Sequence, residues 1–93
     1  SLMLGTYTKQ PVEVLDYDVD YTDWLESGDY VVSATAVPSP AGLTLGAITV
    51  LSPRVKVWAS GGVDGVTYKV TVTATTHDGR VKQDEFRIRV KDL

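Results

Sequence analysis

The chain has 93 residues, 43% of them hydrophobic and 23% charged, with a net charge of −3 and no cysteine. That length makes one domain, and the lack of cysteine excludes disulfide staples, a thiol nucleophile and thiolate metal sites. The acidic balance disfavours nucleic acid as the main partner, and no apolar run approaches the roughly 20 residues that span a bilayer.

SLML at the start is too short for a signal peptide and has no basic flank. Ser1-Leu2 ahead of Met3 reads as a cloning scar, and residues 1–8 as a tail before a single domain over 9–93. The stretch PVEVLDYDVDY follows. It holds Val12 and Val14 in one phase, but Leu15, Tyr17, Val19 and Tyr21 in the other. A phase slip turns side chains to the opposite face, so a bulge or a change of sheet is expected near Val14 and Leu15. In DYTDWLESGD, Asp20 or Thr22 can cap a single helical turn. Trp24 and Leu25 would plug the end of the core there, and Gly28 would end the turn.

DYVVSATAV alternates, with Tyr30, Val32, Ala34 and Ala36 expected inward. After the loop PSPAG come strands over 43–51 and 54–59, separated by Ser52-Pro53. TYKVTVTATT is the best period-two run, with Tyr68, Val70, Val72 and Ala74 on one face. Phe86, Ile88 and Val90 repeat the pattern near the end. HDGR places Asp78 and Gly79 between these two runs, predicting a hairpin with a type I′ turn. Six or seven short strands in about ninety residues describe an all-β, antiparallel sandwich of immunoglobulin-like type with Greek-key connections.

SGGVDG precedes Tyr68. In immunoglobulin-like sandwiches a tyrosine near the start of the sixth strand returns its hydroxyl to backbone a few residues upstream. Gly61, Gly62 and Gly65 then supply the bend, Asp64 lies four residues before the ring, and Val70 stands where antibody domains place a cysteine. A phosphate-cradling loop would need a lysine and a following helix, which are missing.

Seven of the twelve acids lie between Glu13 and Asp29, and five of the nine bases between Arg80 and Lys91. Asp16, Asp18 and Asp20 alternate on one face and resemble the opening of a calcium loop. Tyr21 replaces the glycine and Ser27 the glutamate of that motif, so a salt-paired outer face, opposite Arg87 and Arg89, is the plainer expectation. His77 falls at a hairpin tip with no partner, and Ser60 in WASGG lacks the strand–elbow–helix setting of a nucleophile. No catalytic residue, cofactor or metal is assigned. The basic stripe of Arg80, Lys82, Arg87, Arg89 and Lys91 is interleaved with Asp84 and Glu85, unlike a nucleic-acid reader. Trp24 and Trp58 are expected in the core. Were they exposed, they would favour the alternative of a carbohydrate-binding or adhesin-type module.

The blocks LDYDVDYTDWLESGD and VKVWASGGVDGVTYKVTVTATTHDGR resemble a family of small proteins encoded in tailed bacteriophages and prophages. Asp20, Trp24, Leu25, Gly28 and Asp29 fit its first motif. Trp58, Ser60, Gly61, Gly62, Gly65, Tyr68, Val70, Thr71, Thr76, Gly79 and Arg80 fit its second. The resemblance spans about Lys9 to Lys91 and implies an immunoglobulin-like, non-enzymatic virion component made in the bacterial cytoplasm. It would act through contacts with other phage structural proteins in head, connector or tail, with a homo-oligomer in the particle left open. The matched positions are corners, turns and core.

Overall fold

The computed structural model describes residues 2–93, with side chains from Leu4 onward. Ser1, half of the expected cloning scar, lies outside the described residues. Seven strands run in chain order: β1 (Leu2–Lys9), β2 (Leu15–Asp20), β3 (Val31–Ser39), β4 (Leu43–Leu51), β5 (Arg54–Gly61), β6 (Thr67–Thr76) and β7 (Val81–Val90). They form a four-stranded sheet ordered β1-β7-β6-β3 and a three-stranded sheet ordered β2-β5-β4. The β3-β6-β7 and β2-β5-β4 orders are those of the C-F-G and B-E-D strands in immunoglobulin constant domains. The first strand is moved beside the last and pairs with it in parallel.

The two sheets face each other through period-two alternation. Val55, Val57 and Ala59 of β5 meet Tyr68, Val70, Val72 and Ala74 of β6 and Phe86, Ile88 and Val90 of β7, all buried. Each such large side chain contributes about 1.5–3 kcal/mol relative to exposure, so these three strands carry most of the core. Trp24 and Leu25 pack against it from the turn after β2. That turn is a single one: the Trp24 and Leu25 amides both donate to the Tyr21 carbonyl. Asp20 is its cap, accepting from the Thr22 amide at 2.9 Å.

Three expectations fail for local reasons. Residues 2–8 are not a tail but most of β1. The register shifts between Met3 and Thr6, which hides the alternation, and Tyr7 wedges its ring 5.1 Å from Tyr17 and 5.9 Å from Phe86. In β3, a register shift between Val31 and Ser33 turns Val31 inward and leaves Tyr30 and Val32 half-exposed, while Ala34 and Ala36 keep their places against the core. The β6–β7 turn is not type I′, because Asp78 lacks positive φ; only Gly79, at φ +90°, has it. The Gly79 amide returns to the Thr76 carbonyl and the Thr76 amide takes the Arg80 carbonyl. This is a three-residue loop, the type I turn plus bulge that follows two-residue hairpins in frequency.

All connections gather at two poles of a body measuring 44 × 21 × 19 Å. One pole holds the loops 10–14, 40–42 and 62–66. The other holds 21–30, 52–53 and 77–80.

Candidate interaction surfaces

At the first pole the backbone must pass from β5 to β6 and from β1 to β2, changing sheet each time. Tyr68 closes the first crossing. Its hydroxyl accepts the Val63 amide at 3.0 Å, five residues upstream. The loop is fixed further where Gly65 donates to the Val90 carbonyl at 2.8 Å and Val90 to the Val66 carbonyl at 2.9 Å. Gly62 has φ +96° and runs so close to β7 that a Cβ would lie 2.6 Å from Val90 Cγ2. Gly61 and Gly65 also have positive φ but open space around them. Asp64 does not reach Tyr68; its Oδ1 accepts the Asp92 amide at 2.9 Å and ties down the end of the chain after β7. Tyr68→Phe should therefore strand the Val63 amide and cost about 1–2 kcal/mol, read as a lower urea midpoint with an unchanged slope.

Lys9 closes the second crossing. Its side chain is 0% exposed. The ammonium donates to the carbonyls of Gly61 at 2.6 Å, Gln10 at 2.8 Å and Pro11 at 3.4 Å, using its three protons. Burial draws its pKa below the usual lysine range, partly offset by the Glu13 carboxylate. Sequence reasoning missed this residue. The one signal was its isolation, since Lys9 is the only base before Arg54.

The outer face of the three-stranded sheet carries the acidic strand. Register sets Asp16 beside Trp58, Asp18 beside Lys56 and Asp20 beside Arg54. Lys56 Nζ lies 2.9 Å from Asp16 and 3.8 Å from Asp18, and Arg54 lies 3.8 Å from Asp20. The partners are thus on β5, not Arg87 and Arg89, which lie on the other sheet. Trp58 is also on this outer face, 39% exposed, rather than in the core. It faces the Gly46–Ala47 bulge of β4, where the register shifts between Leu45 and Ile48.

At the second pole Asp29 is a knot. Its Oδ1 accepts the Tyr30 amide at 2.9 Å and the Asp78 amide at 3.1 Å, binding the β2–β3 connection to the β6–β7 hairpin. Among the described residues, Asp29, His77 and Asp78 bring ligand-type atoms within 4.8 Å of one another, whereas the acidic strand forms no such group. His77 stacks on Tyr30 at 4.8 Å and lies 3.3 Å from Asp78. Arg80 covers the Trp24 ring at 4.1 Å and joins the turn to the hairpin base. Ser60 and His77 stand at opposite poles and cannot cooperate.

Three carboxylates are held below their ordinary value of 3.8. The Lys56 hydrogen bond does this for Asp16, and the Thr22 hydroxyl and amide for Asp20. Burial alone would raise Asp29, but the Thr76 hydroxyl, the Asp78 and Tyr30 amides and the Arg80 charge outweigh it. A depressed folded pKa contributes stability that is present above the unfolded value and lost as pH falls through the folded one. The melting temperature should hold down to about pH 4 and then fall, and Lys56→Gln should flatten part of that fall.

A family model described as podophage GP4 fiber-tail adaptor protein gp77 matches residues 9–89. The chain belongs to this family. It is therefore a structural protein of tailed phages and a component of the virion, as the resemblance of its two sequence blocks implied. A search of curated proteins finds no match. The family's matched stretch begins at Lys9 and takes in every crossing, cap and knot described above. Among the described residues no helix is long and apolar enough to cross a membrane.

Proposed function

We propose that this protein joins fibre to tail in a short-tailed phage particle, acting as a non-enzymatic adaptor through protein–protein contacts. The family match over residues 9–89 carries this reading. The fold supports it physically: the strands pack a dry core, and the loops at both poles are tied by hydrogen bonds that hold surfaces in fixed shape for partners. Its partners are tail and fibre proteins, without nucleic acid or membrane. It is made in the host cytoplasm and incorporated during assembly. Particles assembled without the gene should retain tails and lose fibres, as counted by electron microscopy and mass spectrometry. Fibres present at normal number on such particles would refute the reading.

A second reading, a carbohydrate-binding module, draws on Trp58, whose partly exposed indole lies beside Asp16 and Lys56. Aromatic faces flanked by hydrogen-bonding groups suit sugar rings. It predicts glycan-dependent changes in Trp58 fluorescence. A flat response across host surface polysaccharides would dismiss it.

A further inference from the structure

The two oxygens of Asp29 are used unequally. The residue is only 9% exposed. Its Oδ1 accepts the Tyr30 and Asp78 amides. Its Oδ2 is buried and accepts no hydrogen bond. The Thr76 hydroxyl favours the charge of this carboxylate but closes no hydrogen bond on Oδ2. Arg80 does not close one either: its guanidinium covers the Trp24 ring, reaches the Trp24 carbonyl at 3.4 Å and lies 3.7 Å from Glu26. A buried carboxylate oxygen without a partner is unfavourable, and an added cation is one way to satisfy it.

Two further donors stand beside it. Asp29, His77 and Asp78 each bring one ligand-type atom within 4.8 Å of the others. His77 Nδ1 and Asp78 Oδ1 are 3.3 Å apart. Ligands about 2.0–2.1 Å from a tetrahedral zinc ion are about 3.3–3.4 Å from one another, so this pair already spans one edge of such a site. The wider separations can close by side-chain rotation, because His77 and Asp78 are 59% and 56% exposed. The surroundings orient the donors. The His77 ring stacks on Tyr30 and its amide donates to the Tyr30 carbonyl at 2.9 Å, while two amides hold Asp29. Supporting contacts of this kind are what fix metal ligands in place. The acidic strand differs: Asp16, Asp18 and Asp20 are answered by Lys56 and Arg54 and form no such group.

We propose that Asp29, His77 and Asp78 bind one divalent cation of the zinc class, clamping the β6–β7 hairpin to the connection between β2 and β3. The donor set selects the ion. One imidazole nitrogen with two carboxylates suits Zn²⁺, whereas Mg²⁺ and Ca²⁺ favour oxygen alone. Three protein ligands leave a fourth position to water. The proposal goes beyond the adaptor reading and does not rest on it.

The test uses the purified full chain, stripped with chelator, and ZnCl₂ as the probe. Calorimetric titration should count one ion per chain, and 100 μM ZnCl₂ should raise the melting temperature by about 5 °C or more. MgCl₂ at the same concentration should leave it unchanged. His77 is the only histidine, so its imidazole resonances report the site without ambiguity and should move on adding zinc. His77→Ala and Asp78→Asn change exposed side chains and should fold, yet each should weaken zinc binding by about tenfold or more. Zinc that leaves the His77 resonances in place would overturn the proposal. So would equal affinity in His77→Ala, or a melting shift that magnesium reproduces.

Discussion

Replacing Lys9 by methionine should lower the melting temperature by about 10–20 °C. Two effects oppose each other. Methionine keeps the length of the stem and removes a charge whose burial is unfavourable, as the lowered pKa of Lys9 shows. Swapping buried charges for apolar groups is often neutral or stabilising when both members of an ion pair go together. Here the partners are backbone carbonyls of Gly61, Gln10 and Pro11, and they cannot be removed with the ammonium. Each carbonyl left without a donor costs about 1–3 kcal/mol where water cannot reach it. The stranded acceptors outweigh the relieved charge, giving a net loss of about 2–3 kcal/mol. That is a large share of the roughly 5–14 kcal/mol expected for a domain of this size. Thermal and urea denaturation would measure it, and a Lys9→Met protein as stable as wild type would show that the ammonium is not what joins the two crossings.

Gly62→Ala is the second large effect, and Gly65→Ala isolates its cause. The two glycines have nearly the same backbone angle, φ +96° and φ +87°. An L-residue there costs roughly 1–2 kcal/mol in either case. They differ in space: a Cβ on Gly65 meets nothing within 4 Å, whereas one on Gly62 falls 2.6 Å from Val90 Cγ2 and 3.4 Å from Tyr68 Cε2. Val90 is buried in the core and Tyr68 is held by Val63, so neither can yield freely. Overpacking of this kind adds about 1–3 kcal/mol. Gly62→Ala should therefore destabilise by about 2–5 kcal/mol, and Gly65→Ala by only the backbone part. Adding Val90→Ala to Gly62→Ala should cost less than the sum of the two, because the clash disappears with the methyl groups. Equal losses for the two glycine variants would mean that close approach to β7 contributes nothing.

Much of the fold could be read from residues because one face of each central strand is dry. Thr67–Thr76 and Phe86–Val90 alternate cleanly, and the structure keeps their phase. The bend before Tyr68 was legible for the same reason that it exists: glycines crowd where the chain crosses between sheets. What escaped was decided by single-residue irregularities. A register shift at Val31–Ser33 reverses two inward assignments in β3, and one at Met3–Thr6 hides β1 altogether. The side-chain period of a strand is two, so one extra residue inverts the assignments on one side of it: Tyr30 and Val32 lose their expected inward places, and Ala34 and Ala36 keep theirs. Trp58 escaped because its size argued for burial, whereas its phase beside Val57 and Ala59 argued against it, and phase won.

The interaction surfaces were less legible, since they depend on which loops converge. The acidic strand was read as ion-paired, but its partners turned out to be Lys56 and Arg54 on the neighbouring strand rather than the basic end of the chain. No spacing rule brings Lys9 to Gly61, because they are 52 positions apart and meet only once both sheets have closed. Val12 and Val14 read as out of phase with the strand that follows, and Val63 as part of the glycine bend, until their loops were seen to share one pole.

Amide hydrogen exchange at Val63 measures most directly whether those joined loops form a fixed platform. Its N–H should exchange only through openings nearly as costly as those that release Val70 and Val72, far slower than an unpaired loop amide. Rapid exchange at Val63, with Val70 and Val72 still protected, would contradict the account by showing that the phenol does not hold the loop and that the pole is loose.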